Sequence, residues 1–368
     1  MDHRIQKHAE ILMDYSLAIQ PGETLLIQGE YVTYPLMKAC YHAAILRGAH
    51  PAIQIVHPEL QEILFKYGTD DQIGFIHDYK WKLSETIDVA LSLMGSENPR
   101  IFTHVNPERQ KRATQAQSEL MNTLFNRLAR GEMRWCGTLF PTRGNAQEAS
   151  MSLADYEDFV YQACYLDADD PVSIWREIHA KQEKICQFLD TKKQIHFVSA
   201  DTDLRLSVEG RKWINCSGKM NFPDGEVFTG PVEDSVEGHI RFSFPGIFNG
   251  QEVEDIRLTF EKGKVVEATA AKGEALLQQL LETDAGARYV GEIAVGTNYN
   301  IQRFSKNMLF DEKIGGTIHL ALGRSIPESL GKNISAIHWD MLCNMRDGGV
   351  IYADGDVIYE NGEFVIFK

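Results

Sequence analysis

The chain lacks any CxxC pair: Cys40, Cys136, Cys164, Cys186, Cys216 and Cys343 are scattered along it. That excludes a zinc knuckle and a secreted disulfide framework, and suits thiols kept reduced in the cytoplasm. No run of 18 apolar residues occurs, so no membrane span is available and no membrane partner is expected. Met1-Asp2-His3-Arg4-Ile5 lacks the apolar core and small-residue cleavage site of a signal peptide, so export is not expected either. Cations are in the minority: 37 Lys and Arg against 52 Asp and Glu, a formal charge of -15. Phosphate binding needs clustered cations, so nucleic acid is excluded as a partner, and Arg109, Lys111 and Arg112 read as a solvated helix face. The first apolar strand, Thr24 to Gln28, runs into Gly29-Glu30-Tyr31-Val32-Thr33, which is neither GxGxxG nor GxxxxGK[ST], so no nucleotide cofactor is expected. There is no HExxH, and Gly323-Arg324-Ser325-Ile326-Pro327 misses the GxSxG pattern at its last position, so a serine hydrolase is not supported.

What is present is a chain of 368 residues, 43% of them apolar, too long for the usual single core. Two domains are predicted, residues 1–190 and 191–368. In the first, strand-like runs (Thr24 to Gln28, Pro51 to Val56, Asp88 to Leu93, Arg134 to Phe140) alternate with helical periodicity, as from Tyr34 to Arg47, where Gly48 marks a helix end. Strand-helix-strand order at this spacing predicts an α/β domain with a mainly parallel sheet. Helical pattern continues from Ser152 to Leu189, broken at Asp167-Ala168-Asp169-Asp170-Pro171. After Lys192 the texture changes to short alternating strands with glycine turns (Gln194 to Ser199, Asp203 to Val208, His239 to Phe244, Ile256 to Phe260, Val265 to Ala271) and one helix from Gly273 to Glu282. This is the pattern of a largely antiparallel α+β domain.

The candidate chemistry lies in this second domain. In an extended strand successive side chains alternate faces, so His338 and Asp340 point together while Ile337, Trp339 and Met341 point into a core. The same alternation sets Thr317, His319 and Ala321 apart from Ile318, Leu320 and Leu322. Glu292 stands in the apolar run Val290 to Gly296, where an unpaired carboxylate is costly and needs a cation nearby. Glu226 follows the turn Asp224-Gly225. Together with Glu312, these residues make an oxygen-rich set with two imidazoles. Four carboxylates and two neutral imidazoles carry four negative charges, which matches two divalent ions. Oxygen and imidazole without thiolate suit Zn, Mn or Co. Two such ions activate water and polarise a carbonyl, the chemistry of metal-assisted amide hydrolysis.

Four ordered motifs carry a family resemblance: Asp224-Gly225-Glu226-Val227-Phe228-Thr229; Gly291-Glu292; Phe310-Asp311-Glu312 followed by His319-Leu320-Ala321-Leu322-Gly323; and Asn333 to Asp340. In order they resemble the metallopeptidases of the aminopeptidase T and aminopeptidase S family. The resemblance implies that Glu226, Glu292, Glu312, His319, His338 and Asp340 bind a two-metal centre. It also implies that the enzyme removes N-terminal residues from peptides as a homodimer. Two departures stand out. The stretch from Glu312 to His319 is two residues longer than in better-known members. Where the family carries a tyrosine seven residues after the first histidine, this chain has Ile326, which donates no hydrogen bond.

The reading that follows is a cytoplasmic metalloaminopeptidase, with Glu292 as candidate general base and Arg324 as the donor replacing the missing tyrosine. A first rival is a mononuclear iron ring-cleaving dioxygenase, in which His319, His338 and Asp340 alone form a two-histidine, one-carboxylate facial set. A second is a non-catalytic peptide-binding protein with an idle site.

Overall fold

The computed structural model describes residues 2–248 and 250–367. The chain divides into two compact units, one running to Val172 and taking in Gly218–Phe222, the other made of Ser173–Ser217 and the chain from Pro223 on. The division falls within the first turn of the long helix Pro171–Leu189. The reason is packing: Ile185, Cys186 and Leu189 of that helix belong to the hydrophobic core of the second unit. A change of sequence texture marks where the strands begin, not which core a connecting helix joins.

The first unit holds an all-parallel sheet ordered His50–Val56, Thr24–Glu30, Val89–Met94, Arg134–Leu139, Asn221–Phe222. Its central strands are the apolar runs read from the sequence, with Leu25, Ile27, Val89, Leu91 and Cys136 fully buried, as expected where helices cover both faces. The helix Tyr34–Leu46 has proline in its first turn and is followed by Gly48 at φ +75°, a left-handed position that favours glycine after a helix. The fifth strand comes from the Gly218–Phe222 return, a pairing no local pattern announces. Strand order reverses between Thr24–Glu30 and Val89–Met94, and a cavity of about 550 Å³ opens off the carboxyl ends there, lined by Glu30, Tyr31, Tyr34, His57, Glu97 and Arg143 among others. It contains none of the candidate metal ligands.

Among the described residues, the second unit carries two large antiparallel sheets and a two-stranded one, Gly246–Phe248 with Gln251–Val253. The five strands predicted after Lys192 all fall in the larger one, ordered Lys264–Thr269, Arg257–Glu261, Glu237–Arg241, Thr202–Ser207, Gln194–Ser199, Val350–Ala353, Asp356–Glu360, Glu363–Phe364. The candidate ligands lie on the other, ordered His338–Asn344, Thr317–Gly323, Val290–Gly296, Glu226–Thr229, Ile214–Cys216. One face of that smaller sheet, with Val227, Ile293, Val295, Ile318, Leu320, Leu322, Trp339 and Met341, joins the core of the unit.

Candidate metal centre

The opposite face of the smaller sheet is where the polar residues meet. Residues directly opposed across antiparallel strands share a face, and the register pairs Glu226 with Gly296, Ala294 with His319, Ala321 with both Glu292 and Asp340, and Gly323 with His338. Four strands therefore present Glu226, Glu292, His319, His338 and Asp340 to one side, separated by glycine and alanine. The glycines admit backbone at close range: a Cβ at Gly296 would stand 2.3 Å from Ile314 O and one at Gly323 2.2 Å from Ile337 O. The alternation expected around His338 holds: Ile337, Trp339 and Met341 are buried, and Trp339 also donates Nε1 to Ile247 O at 3.1 Å. Glu312 arrives from outside the sheet, at the end of the short helix Met308–Asp311.

The ring orientations are set by neighbours. His338 donates Nδ1–H to the carbonyl of Arg324 at 2.8 Å, because a carbonyl can only accept, and this leaves Nε2 as the lone-pair nitrogen. That atom lies 3.5 Å from Asp340 Oδ2 and 3.7 Å from Glu292 Oε2. His319 Nε2 lies 3.2 Å from Glu226 Oε2 and 3.5 Å from Glu292 Oε1. Those approaches are close but not aligned as hydrogen bonds: among the described residues, Glu226 Oε2, His319 Nε2 and Asp340 Oδ1 are buried without a hydrogen-bond partner. Several unpaired lone pairs buried together are costly, and a divalent cation is the partner that satisfies all of them, so these residues fit a metal. Among the described residues, ligand atoms come within mutual reach in four overlapping sets: Glu226, Glu292 and His319; Glu292, His338 and Asp340; Glu312, His319 and Asp340; and, to one side, Cys216, Asp224 and Glu226. The two histidines fall in different sets, and Glu226, Glu292, His319 and Asp340 each belong to two.

The main residue the sequence reading missed is Lys313. It is wholly buried, with Nζ 2.7 Å from Glu226 Oε1, in direct contact with Glu312 Oε1, and 3.7 Å from Asp224 Oδ1. The signal was available: a lysine beside a candidate ligand, between Phe310 and Ile314, has no solvent to go to. Gln182 was missed with no local signal at all. From the helix Pro171–Leu189 it donates to the carbonyls of Glu226 at 2.8 Å and Cys216 at 2.9 Å, tying the edge strand Ile214–Cys216 and its neighbour Glu226–Thr229 to one side chain. Arg324 enters mainly through its backbone carbonyl; its side chain is exposed and its Nε donates to Ser335 O at 3.0 Å. Ile326 is half-buried at the start of the one-turn helix Pro327–Ser329.

The electrostatics are those of a cluster short of positive charge. Burial would raise the Glu226 carboxyl, but Lys313 and His319 override it and hold the pKa at about 2. Glu312 goes the other way: burial, aided by Glu226 and Asp340 and only partly countered by Lys313, lifts it to about 8. Glu292 is also raised, by burial and by Asp340 and Glu226. Burial opposes protonation of His319 and His338, yet the surrounding carboxylates raise both. Without metal, protons must therefore supply the missing charge.

Carboxylates and imidazoles converging on a sheet of small residues are the ligand chemistry of a metal-dependent hydrolase. Comparison with known proteins narrows the class: residues 1–364 match the thermophilic metalloprotease (M29) family, and the chain belongs to that family. It is thus a metallopeptidase. It is 27% identical over 385 residues to aminopeptidase 2 of Geobacillus stearothermophilus, covering 94% of this chain and 93% of that one. Its fold is similar to that of wild-type AmpT from Thermus thermophilus, with a TM-score of 0.86, 23% identity and 99% of both chains covered. A more distant likeness, TM-score 0.58 and 14% identity over 100% of this chain and 98% of the other, is to a 2,5-dihydroxypyridine dioxygenase from Pseudomonas putida KT2440.

Proposed function

We propose that the protein is a metalloaminopeptidase that removes N-terminal residues from peptides, with Glu226, Glu292, Glu312, His319, His338 and Asp340 holding two divalent ions of the Zn, Co or Mn type. The observation that carries the two-ion reading is that His319 and His338 fall in different ligand sets, the His338 set sharing Glu292 with one His319 set and Asp340 with the other, so the six candidate ligands extend over more than one position. Ions bound there would supply Lewis acidity toward a peptide carbonyl and a water of lowered pKa. The chain's own residues do the rest. Glu292, buried with a raised pKa, is suited to accept a proton from the attacking water and return it to the leaving amine. His338, tied through Nδ1 to Arg324 O, keeps Nε2 toward Asp340 and Glu292. The exposed Arg324 guanidinium is the candidate donor to the developing oxyanion in place of the absent tyrosine.

The same reading includes peptide substrates, a cytoplasmic setting and a homodimer. The cysteines are all free, which suits a reducing compartment. The strand His50–Val56 is an edge of the parallel sheet with Ile53, Ile55 and Val56 exposed, followed by exposed Leu60 and Ile63. An apolar, unpaired edge of this kind favours self-association.

The test is hydrolysis of free and N-acetylated peptides before and after chelation. Activity should vanish on chelation, return with Zn, Co or Mn, and be confined to free N-termini. Equal turnover of blocked and free substrates sinks the aminopeptidase reading. The dioxygenase reading shares the fold, but it needs His319, His338 and Asp340 about one iron, and the two histidines stand in separate ligand sets. Oxygen uptake with one bound iron and no peptide hydrolysis would favour it.

A further inference from the structure

Lys313 stands outside the count of four carboxylates against two divalent ions. Its side chain is 1% exposed, and its ammonium bonds to one oxygen of Glu226 and one of Glu312, two of the proposed ligands. Asp224 lies on its third side. This cation cannot withdraw to solvent, so it remains next to whatever ion those carboxylates take. Glu226 keeps its second oxygen, Oε2, without a hydrogen-bond partner and turned to His319 Nε2. The set formed by Glu292, His338 and Asp340 differs: among the described residues, neither Glu292 nor Asp340 is ion-paired to a lysine or arginine. Two groups of ligands with similar donor chemistry thus have unequal fields, one facing a fixed positive charge and one not. Repulsion between an ammonium and a divalent ion a few ångströms apart is large even at the effective dielectric of a protein interior.

We propose that Lys313 makes the two metal positions unequal: the one served by Glu292, His338 and Asp340 fills first and tightly, while the one served by Glu226, Glu312 and His319 is weakened by the internal ammonium and exchanges readily. This rests on the metal-centre reading above. Lys313 is a positioning residue here, since its donors are occupied by protein carboxylates.

The test is equilibrium dialysis of the stripped protein against buffered zinc, with bound metal counted by elemental analysis. The wild type should bind one ion per chain, and a second only at free zinc roughly 100-fold higher. Lys313→Met should draw the two steps together to within about 10-fold, whereas Lys313→Arg, which keeps the charge, should leave them apart. His338→Ala should remove the tight step and spare the weak one, which tests the assignment without touching Lys313 and serves if the methionine variant does not fold. A wild type that takes two ions in one step, a methionine variant that keeps the separation, or a His338→Ala protein that loses the weak step instead, overturns the proposal while leaving a metal centre in place. Binding of no ion at any zinc concentration overturns the metal centre itself, and this proposal with it.

Discussion

Ala321 lies directly across the sheet from Asp340 on one side and from Glu292 on the other. Its single methyl lies between two carboxylates that share one ligand set with His338 and each belong to a further set with His319, so an ion held by them is expected next to it. Replacing it with leucine puts three more carbons there. Ala321→Leu is expected to abolish metal retention and peptide hydrolysis at a stability cost of about 1–3 kcal/mol from overpacking. Metal content and thermal midpoint, measured on the same preparation, check this. A variant that keeps full metal content would show that the ions do not sit next to Ala321.

His338 and Trp339 are neighbours with opposite duties. His338→Ala should reduce bound metal and activity while the fold melts near the wild-type temperature. Trp339→Ala removes a fully buried indole that packs near Phe248 and should cost about 3–5 kcal/mol through the cavity it leaves. Denaturant unfolding and elemental analysis of both variants separate the effects. If the two proteins lose stability equally, the division between site face and core face is wrong.

Gly291 admits the carbonyl that orients His338. A Cβ added there would stand 2.3 Å from Arg324 O, the same oxygen that accepts from His338 Nδ1. Backbone cannot yield cheaply at that distance, so Gly291→Ala is expected to push the carbonyl away, free the imidazole and weaken metal binding along with stability. Metal affinity that stays at the wild-type level would show that the ring is held by something other than that carbonyl.

The first unit has its own acid sensitivity. His8 is fully buried, bonded through Nε2 to Thr138 Oγ1 at 2.8 Å, and burial lowers its pKa from 6.5 to about 3. The unfolded chain therefore binds a proton that the folded one refuses between those two values. Stability from this group is intact above pH 6.5 and declines as pH falls, by about 1.4 kcal/mol per unit, until the folded pKa is reached. His8→Gln, which keeps an amide toward Thr138 and has nothing to titrate, should flatten that slope in unfolding measurements taken from pH 7 to pH 4. An unchanged slope would assign the acid sensitivity elsewhere.

Much of this protein was determined locally and could be read from the sequence. The parallel and antiparallel halves follow from element order, because strand and helix periods leave their own hydrophobic spacing. The His338-Trp339-Asp340 alternation follows from the two-residue period of a strand, and Glu292 stands out because a carboxylate in an apolar run needs a cation, whereas Glu226 and Glu312 were named as ligands through the family resemblance. Tertiary structure alone decided three things. The long helix Pro171–Leu189 joins the second core, because Ile185, Cys186 and Leu189 pack there. The fifth strand of the parallel sheet, Asn221–Phe222, pairs with residues about 80 positions earlier in the chain. Lys313 turns inward onto Glu226, 87 residues away in sequence. Periodicity tells which way a side chain faces; it does not tell which distant group will stand opposite it, since that depends on sheet register and chain crossing. The charge beside the candidate ligands Glu226 and Glu312 therefore depends on a contact that no stretch of sequence contains.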